Sequence, residues 1–169
     1  MIMFEKVPFD IFVDTVNNLD LGIMFPSDPG FLYNTLHDLQ MPTRATKGSA
    51  GYDIHTPFAF PLNPGKSVII PTGLRCLMPH DVVLMLYPRS GLGFKYRLRL
   101  NNTVGVVDSD FANSDSKGHI LLKLSNEGDK RIEFKANDRV CQGIFTHYLL
   151  TDDDAADGER TGGFGSTDK

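Results

Sequence analysis

The sequence has no tryptophan and only two cysteines, Cys76 and Cys141, each inside an apolar run (74–78 and 140–145). That placement reads as two reduced core residues, not as a disulfide or a metal pair. Neither a Cys-x-x-Cys nor a His-Glu-x-x-His pattern occurs, so no zinc motif is present. No apolar run approaches the length of a membrane span, and the N-terminus lacks a basic segment leading into an apolar stretch and a small-residue cleavage site. A cytoplasmic protein with no membrane partner is the expectation. An excess of positive charge is also lacking. Against 17 Lys and Arg stand 21 Asp and Glu, a formal net charge of −4, which argues against a nucleic-acid partner. A small phosphate ligand responds to local groups and is not excluded by that total.

What is present is turn chemistry. Sixteen Gly and ten Pro in 169 residues favour many short strands over long helices. Runs rich in Val, Ile and Leu at 67–70, 74–78 and 82–87 alternate with Asn63-Pro64-Gly65, Pro71-Thr72-Gly73 and Pro79-His80-Asp81. Further strands are expected at 1–7, 98–101, 119–124, 131–134 and 139–150. One short helix is expected after Ser27-Asp28-Pro29, where Phe31, Leu32, Leu36 and Leu39 share a face. The fold class that follows is all-β, a barrel or jelly roll in one domain over 1–150. The acidic, then Gly-rich stretch 151–169 reads as a flexible C-terminal arm.

Five segments have the wrong character for plain turns. At 48–53, Gly-Ser-Ala-Gly-Tyr leads to Asp53 at the start of a strand. At 88–93, Arg89 and Ser90 stand beside glycines after an apolar strand; such a turn can aim N–H groups at an anion, and equally is a common surface turn. Asp108 ends the apolar run of 101–111, as a water-activating carboxylate would, or as a solvated strand-end acid does. Gln142 interrupts a buried strand, either as a hydrogen-bond hub or as a ligand contact. At 160–167, Phe164 sits amid glycines after Arg160, in a loose tail or in an arm that closes over an anion.

Taken in order, these five segments closely resemble the five motifs of the trimeric dUTPase family, with a match from Pro42 to Thr167. The resemblance implies a jelly-roll-like β-barrel subunit, a homotrimer, and hydrolysis of dUTP to dUMP and pyrophosphate with Mg²⁺. It implies that Arg89, Ser90, Gly91, Gln142, Arg160, Ser166 and Thr167 hold the triphosphate. Asn102, Val104 and Gly105 would form the hairpin that reads uracil, Phe164 would stack on the base, and Phe111 would pack on the deoxyribose. Asp108 would activate the attacking water, and Asp53 would act close to Arg89 or a metal-bound water. The ion would be held by phosphates and waters without a direct protein ligand. Motifs one, two and four of a site would come from one subunit, motif three from another, and the arm from the third.

This sequence departs from the family pattern in places. Phe111 stands where Tyr is usual, residues 112–117 look inserted ahead of Gly118, and the spacing from Arg160 to Phe164 is one residue short. Residues 9–37 have no evident family counterpart. With 112–117 they are the candidate surface for a protein partner. The rival of the same fold, dCTP deaminase, needs a proton-shuttling Glu in the strand after Gly118. Lys123 occupies that position, and Ser90-Gly91 replaces the deaminase's paired serines.

Overall fold

The computed structural model describes residues 1–163. Strand β1 (Met3–Lys6) leads into helices α1 (Phe9–Asn18) and α2 (Pro29–His37). Short strands follow: β2 (Thr43–Arg44), β3 (Tyr52–His55), β4 (Phe60–Leu62), β5 (Ser67–Pro71), β6 (Leu74–Leu77) and β7 (Val82–Pro88). Helix α3 (Ser90–Tyr96) separates β7 from β8 (Leu98–Leu100) and β9 (Gly105–Val107). A 3-10 turn (Ser109–Asn113) and strands β10 (Leu121–Asn126), β11 (Ile132–Phe134) and β12 (Arg139–His147) complete the described elements.

The β-rich, jelly-roll-like expectation holds, and the helix count is corrected. Among the described residues the strands fall into four hydrogen-bonded groups, β1-β6, β5-β10-β8, β11-β4 and β2-β3-β12-β7-β9, and not into one closed ladder. Among the described residues there are three α-helices in place of one. The expected helix is α2: the Asp28 side chain accepts the Phe31 N–H at 2.8 Å, and Pro29 occupies the first turn, where its missing N–H costs nothing. Helix α1 buries Phe12, Thr15 and Val16, spaced three and four residues apart on one face. Helix α3 occupies the segment read as a turn.

The helical pair is fixed to the β-structure by an aromatic cluster and a polar relay. Phe58 stacks on Phe25 at 4.5 Å, on Phe12 at 6.0 Å and on Phe31 at 6.3 Å between ring centres. Buried His119 accepts the Gly73 N–H through Nε2 at 3.0 Å, so its proton sits on Nδ1, 3.0 Å from Thr15 Oγ1. Thr15 in turn donates to the Ile11 carbonyl at 2.8 Å. Burial pushes His119 down from 6.5 to about 4, in keeping with a neutral ring that bridges α1 to the turn before β6. Gly73 has φ +71°, and a Cβ there would come within 2.9 Å of Leu36, so this close approach needs glycine.

Candidate active site

The five-stranded group organises the site. In β12, Gln142 lies opposite Asp53 of β3 on one side and Tyr87 of β7 on the other. Its amide donates to the Pro88 carbonyl at 3.2 Å. The Asp53 carboxylate, with only 13% of its side chain exposed, takes Arg89 Nε at 3.0 Å and Arg139 Nη1 at 3.3 Å. Arg89 is thereby held at the end of β7, immediately before α3. Ser90 and Gly91 open that helix, so their N–H groups have no acceptor within it. Gly91 has open space around it. A cavity of about 520 Å³ is lined here by Arg89, Ser90, Gln142, Tyr87 and Arg97. The gathering of guanidinium, hydroxyl, amide and N–H donors suits a polyanion.

A second place forms on the other half of the same sheet. The expected hairpin is a loop here, since β8 pairs with β10 and β9 with β7. That loop and β9 present Asn102, Val104 and Gly105 to a cavity of about 280 Å³, closed by Phe111, Arg160 and Gly163. A Cβ at Gly105 would sit 3.0 Å from Leu86, so β9 packs closely on β7 here. Phe111 is buried and forms one wall. Asp108 caps the 3-10 turn just outside, with half its side chain exposed. Arg160 lies 3.0 Å from Asp108 Oδ2 and 3.0 Å from Asp110 Oδ1.

The single chain keeps these two places apart. Val107, the residue before Asp108, pairs with Leu84, whereas Arg89 lies five residues further along the same line of chain. At strand rise that is about 16 Å. Asp53, Arg89, Ser90, Gly91 and Gln142 are thus brought together, as are Asn102, Val104, Gly105, Phe111, Asp108 and Arg160, but not the one set with the other. Phe164, Ser166 and Thr167 lie outside the described residues.

Three neighbours of these residues were not singled out from the sequence. Arg139 belongs to the Gln142 segment, and its charge next to that buried strand was the available signal. Asp110 follows Asp108 by two residues. His55 had no signal of its own. It is buried, its Nδ1 has no partner among the described residues, and burial pushes its pKa down; Asp53 opposes that shift while Arg139 and Arg89 reinforce it. Among the described residues no three His, Cys, Asp or Glu side chains gather as a metal cage. Both oxygens of Asp53 already face arginines. This donor set fits an ion carried in on phosphate oxygens.

The dUTPase family model matches residues 37–167. The chain belongs to the dUTPase family. Within it, the chain is similar to the deoxyuridine 5'-triphosphate nucleotidohydrolase of Lactococcus lactis, 41% identical over 132 residues that cover 76% of this chain and 88% of the relative. The crystal structure of dUTPase from Streptococcus mutans aligns with TM-score 0.61 at 37% identity, over 66% of this chain and 88% of that one. A dUTPase of Staphylococcus bacteriophage 80alpha aligns over 95% of this chain and 99% of its own, with TM-score 0.63 at 14% identity, a likeness of fold. Family members thus match the region that carries all five motifs. Among the described residues no helix is long and apolar enough to cross a membrane.

Proposed function

We propose that this chain hydrolyses dUTP to dUMP and pyrophosphate. The observation that carries this reading is the small pocket between the 102–105 loop and Phe111, whose wall residue Arg160 is also bound to the Asp108 carboxylate. A pyrimidine nucleoside fits that volume, and the loop backbone offers the hydrogen-bonding groups that read one base edge. Phe111 packs on the deoxyribose and leaves no room for a 2'-hydroxyl. Asp108 takes the proton of the water that attacks the α-phosphorus, with pyrophosphate leaving in line. Arg89, Ser90, Gly91 and Gln142 bind the phosphate chain and stabilise the charge that spreads over it. Asp53 keeps Arg89 aimed and would orient a water on Mg²⁺. When bound, Mg²⁺ would supply positive charge to the phosphate chain.

Because Arg89 and Asp108 lie at opposite ends of one strand pair, the reading requires a homotrimer in which they meet across subunits. Residues 1–150 then form the catalytic body. Residues 151–169 act as an arm that closes over the site, with Arg160, Ser166 and Thr167 at the γ-phosphate and Phe164 on the uracil. A cytoplasmic role in limiting uracil in DNA and supplying dUMP follows from that activity.

The test is a nucleotide panel with product identification. Purified protein with Mg²⁺ should turn dUTP into dUMP and pyrophosphate while leaving dTTP, dCTP and UTP nearly untouched. Comparable rates on dUTP and dCTP, or release of ammonia from dCTP, would replace this reading with a deaminase-like one.

A further inference from the structure

Asp110 and the inserted residues 112–117 have no part in the chemistry above, yet the arm touches both. Arg160 is clamped between the Asp108 and Asp110 carboxylates at 3.0 Å each, and only 20% of its side chain is exposed. Its guanidinium carbon lies 5.6 Å from the Phe111 ring centre. One residue on, the Thr161 carbonyl accepts the N–H of Asp115, inside the inserted segment, at 3.1 Å. At Gly163 a Cβ would come within 2.5 Å of the Phe111 ring, so a larger residue could not lie there without moving it.

We infer that before nucleotide binds, each arm is latched in cis onto its own motif three, with Arg160 masking Asp108 and residues 112–117 forming the far side of the latch. An exposed ion pair contributes little by itself. Here one guanidinium, already ordered against an aromatic face, meets two carboxylates, and the adjoining backbone is tied down by a hydrogen bond. The inserted segment supplies that tie. The consequence rests on the proposed role of Asp108: the carboxylate oxygen that meets Arg160 is not open to the attacking water. An incoming triphosphate competes for the same guanidinium. Drawing Arg160 away frees the base and clears the Phe111 pocket for nucleotide and for the arm of another subunit.

The position of the arm is tested by the double substitution Asp115→Cys with Thr161→Cys in the full chain. The two backbones are hydrogen-bonded, which brings the positions within disulfide range. Cys76 and Cys141 are buried with thiols pushed up to about 12, so they do not compete. Oxidised without nucleotide, the protein should cross-link within one chain and run at single-chain mass on a denaturing gel. It should also lose dUTP turnover until reduced. Non-hydrolysable dUTP analogue added before oxidation should cut the cross-link several-fold. Absence of the cross-link, or chain-to-chain dimers, overturns the cis latch. As a second measurement, trypsin should cut after Arg160 about tenfold faster in Asp110→Asn or Gly163→Ala than in the parent protein, because the protease must take up the Arg160 side chain, which the latch holds. Equal rates overturn the proposal as well. A chain that cross-links in cis but never hydrolyses dUTP would refute the proposed function and leave the latch standing.

Discussion

Gly51 and Gln142 are fitted to each other: a Cβ on Gly51 would lie 2.6 Å from Gln142 Oε1. Because the Gln142 amide donates to Pro88 immediately before Arg89, a shift of this side chain disturbs the corner proposed to bind phosphate. Gly51→Ala should therefore raise KM for dUTP about tenfold, the effect of losing one charge-assisted contact. Thermal stability should change little, since Gly51 is only partly buried. Steady-state kinetics together with a melting curve check both halves. An unchanged KM would remove Gln142 from substrate binding.

The buried His119 gives a pH dependence of stability. Its folded pKa of about 4 lies below the unfolded 6.5, so the native state binds the proton less readily. The stabilisation is full above pH 6.5 and is lost as pH falls through the window from 6.5 to about 4. Between pH 7.5 and 5 the loss from this one ring should be about 2 kcal/mol. Urea unfolding at the two pH values, compared with His119→Gln, separates this ring from the carboxylates. The variant should be less stable at pH 7.5 and should lose less on acidification. Equal losses in the two proteins would mean that another group governs the acid limb.

Separation of Arg89 from Asp108 along β7 predicts complementation between inactive variants. Arg89→Ala and Asp108→Asn should each lower turnover by at least about a hundredfold alone, the first by losing a phosphate clamp and the second by losing a base. Random mixed trimers, formed by co-refolding equal amounts, pair an intact Arg89 from one chain with an intact Asp108 from another. They should recover about a quarter of the parent activity. No recovery in mixed trimers would place both residues of a working site in one chain.

Much of this was legible in the sequence, for physical reasons that differ by element. Strands β5, β6 and β7 announced themselves by aliphatic runs between Pro and Gly turns, and the structure places them within a residue or so of those runs. Strand β4 did not, because Pro61 at its centre argues against a strand; it survives in a two-stranded pairing with β11. Helix α3 carries Gly91 and Gly93, poor helix formers, so nothing local signals it. Helix α1 depends on long-range partners, Phe58 and His119, which no short window contains. The five motifs named the candidate site residues in order. They did not give the grip of Arg139 on Asp53 or of Arg160 on Asp108 and Asp110, which are contacts between segments distant in sequence.

The central claim is that water, activated by Asp108, attacks the α-phosphorus. Turnover of dUTP in ¹⁸O-labelled water, with mass analysis of both products, tests it most directly. The claim requires the label in the phosphate of dUMP and none in pyrophosphate, because the bond broken then lies between the α-phosphorus and the bridging oxygen. Label in pyrophosphate, or dUDP and inorganic phosphate as products, would contradict it.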